Sequence, residues 1–143
     1  KESLAPVAKA LQRLGIKKGF VVWGKDGIDE ISPSGETEIY EVSPDNIKHY
    51  QISPEDYGLE RHSIEEIKGG TIEKNAEILR NVLSGEKSPY RDAVLLNSAF
   101  AIIVSEITSD WKEAIELAEE SIDSGNAIQK LEELISYSRH LVK

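Results

Sequence analysis

The run Gly19-Phe20-Val21-Val22-Trp23, followed directly by Gly24-Lys25-Asp26-Gly27-Ile28-Asp29-Glu30, constrains the fold more than any other stretch of the chain. It is short, rich in β-branched and aromatic residues, and lies between an amphipathic helix pattern and a glycine-bearing loop. It therefore reads as a buried parallel strand. In open α/β sheets ligands gather outside the carboxyl ends of such strands, which puts Asp29 and Glu30 on the ligand side. Carboxylates are hard oxygen ligands, and Mg²⁺ is commonly held by one or two of them while phosphates and water complete its shell. The same residues could equally form an acidic surface turn, because Asp-Gly pairs are common turn formers. The local pattern leaves both readings open.

A chain of 143 residues, 39% hydrophobic and 30% charged, suits one globular domain with a real core. Its formal net charge of −9 argues against a nucleic-acid partner, which needs a basic face. Any phosphate ligand would have to arrive with cations. The absence of cysteine excludes disulfides and thiolate metal sites. No signal peptide is recognisable and no apolar stretch is long enough to span a bilayer, so no membrane partner is expected and the cytoplasm is the expected location. The chain also lacks methionine and begins at Lys1, at the edge of a helix pattern. That reads as a fragment of a longer protein or a processed product.

The first helix pattern sets Leu4, Val7, Ala8, Leu11 and Leu14 on one face, with Ser3 as N-cap and Gly15 as the stop. Pro6 is tolerable there because it falls in the first turn. After the acidic loop, Thr37 to Val42 and Ile47 to Ile52 are β-rich and separated by Ser43-Pro44-Asp45-Asn46, the pattern of a hairpin. Ser53 to Gly58 reads as a turn or a single helical turn, and from there the pattern is helical. Gly69-Gly70-Thr71 precedes a helix through Leu83 with Ile72, Ala76, Leu79 and Leu83 on its stripe. Two glycines in that place can admit an anion to the helix N-terminus or simply form a turn.

A third helix is predicted from about Tyr90 to Ile107, apolar nearly all round and therefore buried. Asn97 and Ser98 interrupt its centre, and a buried Asn more often satisfies backbone groups than binds substrate. Ser109-Asp110 caps a fourth helix carrying Trp111, Ile115, Ala118 and Ile122, ended by Gly125. A fifth follows with Ile128, Leu131, Leu134 and Ile135 on its stripe. His49, His62 and His140 have no metal-ligand spacing and read as surface residues. Glu65 and Glu66 read as a solvated helix end.

The order of motifs closely resembles the carboxyl-terminal half of the anthranilate phosphoribosyltransferase family. It is carried by Val21-Val22-Trp23-Gly24, Asp26-Gly27-Ile28-Asp29-Glu30-Ile31-Ser32, Pro54-Glu55-Asp56-Tyr57-Gly58-Leu59, Gly69-Gly70, Glu73-Lys74-Asn75-Ala76 and Leu95-Leu96-Asn97-Ser98-Ala99, and it extends through Glu116-Leu117-Ala118 and Ser124-Gly125-Asn126-Ala127. The resemblance implies the carboxyl-terminal part of a nucleoside phosphorylase/phosphoribosyltransferase-type α/β domain. Its sheet would be mixed, with a β-hairpin followed by a cluster of helices. Residues 1–143 would then be one segment of a single catalytic domain, without its first half and without the amino-terminal helical domain through which the family usually dimerises.

Carried over by motif, Asp29 and Glu30 become ligands of a magnesium ion that accompanies phosphoribosyl pyrophosphate. The implied reaction transfers the phosphoribosyl group to anthranilate and releases pyrophosphate, a step in tryptophan biosynthesis. Family members often carry His where Trp23 stands, at a variable position. The family's Gly-Thr-Gly-Gly-Asp and Lys-His-Gly-Asn segments and its anthranilate-binding arginine have no counterpart in this sequence. The resemblance therefore implies a chain that is incomplete as a catalyst, with no catalytic residue assigned to it. Two alternatives stand beside it: a fragment of a pyrimidine nucleoside phosphorylase-like enzyme, and a non-catalytic acidic assembly module. Isolated as a fragment, the strand after Gly19 would lack the earlier strands that should pair with it and leave an exposed edge, which favours aggregation or a compensating contact.

Overall fold

The computed structural model describes residues 2–141. Its first element is helix α1 (Leu4–Arg13), which turns Leu4 and Ala8 onto the sheet and ends before Gly15, where a φ of +79° suits glycine. Ser3 occupies the N-cap position without using its side chain. Val7 and Leu14 lie on the predicted apolar stripe but are exposed, Leu14 at 80%. Among the described residues α1 packs mainly on the sheet, which covers only its inner edge. Gln12 Nε2 ties it to the hairpin by donating to the Ser43 carbonyl at 3.0 Å.

Strands β1 (Gly19–Gly24), β2 (Thr37–Val42) and β3 (Ile47–Ile52) form a sheet in that order. The hairpin falls where its turn residues put it: the Ser43 N–H and hydroxyl both donate to the Asn46 carbonyl, closing β2 onto β3 with Val42 opposite Ile47. β1 corrects an expectation. It pairs antiparallel with β2, Gly19 opposite Val42 and Gly24 opposite Thr37, so among the described residues the sheet is antiparallel throughout rather than mixed. It is also half-buried rather than fully buried.

The physical reason lies in how the sheet is covered. Phe20 and Val22 face the core formed by Ile31, Ile39, Ile52, Leu96 and Phe100, while α1 packs against the sheet. A strand with neighbours on both faces needs apolar residues at successive positions whichever way it pairs. The second edge of β1 has no strand beside it among the described residues.

Short 3₁₀ turns at Pro54–Tyr57 and Ile64–Ile67 lead to the helices α2 (Ile72–Leu83), α3 (Pro89–Val104), α4 (Trp111–Asp123) and α5 (Asn126–Leu141). The caps are those the sequence suggests: the Asp110 carboxylate accepts the Glu113 N–H, and Gly125 stops α4 at a φ of +81°. α3 is the hub. Leu96 and Phe100 face the sheet, Leu95 joins the core under α2 and α4, and Ala99 and Ile103 pack on Ala114 and Ile115.

Two stripes are less buried than their periodicity suggests. On α2, Ile72 is 84% exposed, Leu79 and Ala76 are exposed, and Val82 is the buried residue. α5 has no buried residue, and Leu134 stands in solvent. Apolar periodicity identified these helices correctly but did not reveal that each is covered on one side only. No described helix is long and apolar enough to cross a membrane.

Candidate functional site

The site is built where β1 ends. Gly24 is buried, and its N–H donates to the Ile28 carbonyl at 2.9 Å while its carbonyl accepts the Gly27 N–H at 2.9 Å. Gly27 takes a φ of +101°, which lets the chain reverse so tightly. The Lys25 N–H donates to the Glu36 carbonyl at 2.8 Å, holding the two ends of the loop together.

Four carboxylates lie in this loop; Glu36 pairs with the Lys25 ammonium at 2.6 Å, and the structure gives the other three different work. Asp26 folds back over the loop, where Oδ2 accepts from the Ser32 and Ser34 hydroxyls and Oδ1 from the Ile28 N–H at 3.3 Å. Partial burial works to raise its pKa, but the hydroxyl and amide donors prevail and hold it below the ordinary carboxylate value. Asp26 is thus a structural anion. Ser32 is fully buried beneath it, its Oγ accepting from the Ser34 and Gly35 N–H groups and its own N–H donating to Thr37 Oγ1. Asp29 and Glu30 instead stand exposed, and neither enters an ion pair among the described residues.

Gly24 leaves no room for a side chain. A Cβ there would lie 2.6 Å from Asp26 Oδ1, 3.0 Å from the Ser32 Cβ and 3.2 Å from the Ile28 carbonyl oxygen. Gly24→Ala is therefore expected to pry the loop apart and destabilise the protein by about 1–3 kcal/mol, the usual range for forced overpacking. Urea unfolding checks this through the midpoint, and a midpoint equal to the parent's would contradict it.

Beyond Glu30 the chain is fixed again. The side-chain amide of Asn97, on α3, accepts the Ile31 N–H at 3.1 Å and donates to the Ile31 carbonyl at 3.0 Å and to the Ala93 carbonyl at 3.0 Å. The expectation that Asn97 satisfies backbone groups holds. Beside the loop runs an open, mainly apolar groove of about 480 Å³, with Glu30, Ile28 and Pro33 on one wall and Ile78, Leu79 and Val94 among the others.

The remaining candidates separate clearly. At the double glycine, the Gly70 N–H donates to Asn75 Oδ1 at 2.7 Å and the Thr71 hydroxyl caps the Lys74 N–H, so the turn reading describes this segment. Glu66 accepts from both the Ser63 N–H and hydroxyl and is solvated, as expected. His62 corrects the surface expectation. Its side chain is 12% exposed, Nε2 lies 2.7 Å from Asp92 Oδ2, and its backbone N–H donates to the Pro33 carbonyl. It ties the segment after the first 3₁₀ turn to both the loop and α3. His49 is half-exposed, stacked on Tyr40 and bonded to the buried Glu38 at 2.6 Å. His140 is exposed and contacts the Ser136 carbonyl.

No group of three or more His, Cys, Asp or Glu side chains suited to a metal occurs among the described residues. The donor set on offer is the exposed Asp29–Glu30 pair. Two adjacent carboxylates without a closed cage fit Mg²⁺, which keeps several waters and takes phosphate oxygens rather than filling its shell from protein.

With the geometry established, comparison with known proteins gives a consistent result. The family described as glycosyl transferase family, a/b domain, matches residues 1–128. The anthranilate phosphoribosyltransferase of Aquifex aeolicus is 46% identical over 141 residues, covering 99% of this chain and 42% of the relative. That of Petrotoga mobilis is 43% identical over 136 residues, covering 95% and 40%. Among solved structures, anthranilate phosphoribosyltransferase from Thermus thermophilus superimposes with a TM-score of 0.86 at 40% identity, covering 96% of this chain and 40% of that one. The Saccharomyces cerevisiae enzyme in complex with PRPP and Mg gives 0.83 at 38% identity, covering 92% and 38%. The chain thus spans about 40% of the length of the relatives it matches.

Proposed function

The chain belongs to the glycosyl transferase family through its α/β domain, and from that premise we propose that it forms part of an anthranilate phosphoribosyltransferase. The reaction would be transfer of the phosphoribosyl group of phosphoribosyl pyrophosphate to the amine of anthranilate, giving phosphoribosylanthranilate and pyrophosphate in tryptophan biosynthesis. The observation that carries this reading is the division of labour in the loop after β1. Asp26 is bonded inward, which leaves Asp29 and Glu30 exposed together at the end of the strand. The relatives at 46% and 43% identity and the yeast complex with PRPP and Mg support it.

Asp29 and Glu30 would hold Mg²⁺. When bound, that ion neutralises charge on the leaving pyrophosphate. The chain's own part is to present two oxygen ligands on a loop whose shape is fixed by Asp26, Ser32 and Ser34, without a general acid or base drawn from this pair. An acidic protein can accept an anionic substrate in this way. Residues 1–143 would constitute the carboxyl-terminal segment of the catalytic α/β domain and would be inactive alone. The pyrophosphate and anthranilate contacts would come from the remainder of a cytoplasmic homodimer.

The test is phosphoribosyl transfer in the full protein carrying these residues, followed by the loss of anthranilate fluorescence. The Asp29→Ala, Glu30→Ala double variant is expected to lose magnesium-dependent turnover by about 100-fold or more, in line with loss of a metal's electrostatic role. An active double variant with unchanged magnesium dependence would remove the pair from the site. Phosphorolysis of pyrimidine nucleosides by the parent, with no anthranilate consumed, would replace the transferase reading with the phosphorylase one.

A further inference from the structure

The Asp29–Glu30 pair hangs between two fixed points. On one side, the Ile28 N–H is held by Asp26 Oδ1 and its carbonyl by the Gly24 N–H. On the other, both backbone groups of Ile31 are taken by the single side-chain amide of Asn97, much as a neighbouring strand would take them. Ile31 is 3% exposed and packs on Leu96 and Phe100, so this second point is anchored in the core.

We propose that Asn97 is a positioning residue for the metal pair: by clamping Ile31 to α3 it sets the geometry of Asp29 and Glu30 and hence their affinity for a divalent cation. This rests on the metal reading above. The chemistry singles out asparagine. The position must supply one acceptor for the Ile31 N–H and two donors for the Ile31 and Ala93 carbonyls, and a primary amide offers both on one short side chain. A carboxylate would set a second oxygen against two carbonyls, and an alkyl group would leave three polar backbone groups without this partner. Neither the Asp29 nor the Glu30 carboxylate hydrogen-bonds Asn97; the influence passes along the backbone, one peptide from Ile31 to Glu30 and two to Asp29. Partners that orient metal ligands without touching the metal typically change affinity by about 10–100-fold when removed.

The experiment is a Mn²⁺ titration of the full chain, followed by the electron paramagnetic resonance of the free ion, with amide hydrogen exchange at Ile31 measured in parallel. Asn97→Ala and Asn97→Leu are expected to weaken Mn²⁺ binding by about 10-fold or more and to speed exchange at Ile31. Leu95→Ala is the control. Leu95 lies on the same helix and is more deeply buried than Asn97, but packs on the opposite cluster with Val82, Ala118 and Ile122. It is expected to lower the melting temperature while leaving Mn²⁺ affinity at the parent's value.

Folded Asn97 variants with the parent's affinity would overturn the proposal alone, leaving the metal pair intact. So would a Leu95→Ala variant that weakens binding as much as Asn97→Ala, since the effect would then be general loosening of α3. A parent chain that binds no Mn²⁺ would instead bring down the metal reading itself, and the proposal with it.

Discussion

Replacing Phe100 by alanine is expected to destabilise the protein by about 3–5 kcal/mol, the range for truncating a buried phenylalanine. Phe100 is 4% exposed and sits where three layers meet. Its ring lies 5.0 Å from Phe20 of the sheet and 5.6 Å from Tyr57 of the first 3₁₀ turn, both edge-on, and 4.4 Å from Trp111 at the start of α4. Edge-to-face aromatic pairs contribute about 0.5–1.5 kcal/mol beyond the area they bury. The same ring closes over Ile31, Ile39, Ile52 and Leu96. Few neighbours can collapse into the space, because the sheet, the turn and α4 are each held by other contacts.

Urea unfolding checks the size of the effect, with the midpoint falling at constant slope. Val94→Ala, at an exposed position bordering the groove, should stay within about 0.5 kcal/mol of the parent. A second signal comes from Tyr57, whose hydroxyl pKa is raised above the ordinary tyrosine value mainly by burial, with smaller contributions from Tyr50 and Asp56. Opening the aromatic cluster to water should lower it toward the ordinary value, which an absorbance titration of tyrosine detects. If Phe100→Ala unfolds within about 1 kcal/mol of the parent, α3 does not join sheet to helices through this ring.

What the sequence made legible was what short-range chemistry decides. Ser43-Pro44-Asp45-Asn46 carries its own turn, Asp110 its own cap and Gly125 its own stop, so the hairpin and the start and end of α4 could be placed without knowing what surrounds them. The direction in which β1 pairs was not of that kind. Its partner β2 is reached through loop 25–36, whose closure depends on Asp26 meeting Ser32 and Ser34, and an apolar run packed on both faces looks the same in either direction.

The site divides along the same line. Two exposed carboxylates beside a glycine were visible, but the reason Asp26 is not a third was not, because it lies in hydroxyls further along the chain. The clamp from Asn97 comes from a helix 66 positions away, and its amide could be read as a backbone partner without showing which backbone it serves. His62 departs from the surface expectation for a related reason. A solitary histidine in a polar stretch gives no sign that Asp92 and the Pro33 carbonyl will close over it. The stripes of α2 and α5 failed differently: periodicity gives the face of a helix that prefers cover and says nothing about how much cover the described fold supplies.

Arg91 yields the second large effect and separates charge from packing. It is 1% exposed in the first turn of α3, reaching across to the end of α4, where Nη1 and Nη2 lie 2.8 and 2.9 Å from the two carboxylate oxygens of Asp123. Its hydrogen bond and charge hold the Asp123 carboxyl below its ordinary pKa. Glu119 lies further off, at 4.0 Å; Nη2 is the nitrogen that donates to Asp123, and the guanidinium Nε and Nη1 have no hydrogen-bond partner among the described residues, Nη1 meeting Asp123 as a charge contact. A guanidinium stripped of water and incompletely bonded recovers little net free energy from its ion pair, and replacing such a group by an apolar one of similar length is often neutral or stabilising. Its aliphatic stem is another matter, since it is buried with the rest of the side chain and counts as packed apolar surface.

Arg91→Ala is therefore expected to cost about 2–4 kcal/mol, the range for emptying a buried long side chain. Arg91→Met should stay within about 1 kcal/mol of the parent or exceed it. Asp123 is half-exposed, so water can solvate it once the guanidinium is gone, and neither variant strands a buried charge. Thermal unfolding of the three proteins at one pH gives the comparison directly. If methionine is as damaging as alanine, the stem is not what matters, and the first turn of α3 is held by the Arg91–Asp123 bonds. Because Asn97 lies farther along that helix, Arg91→Met would then also be expected to loosen the clamp on Ile31, which exchange at its amide would reveal.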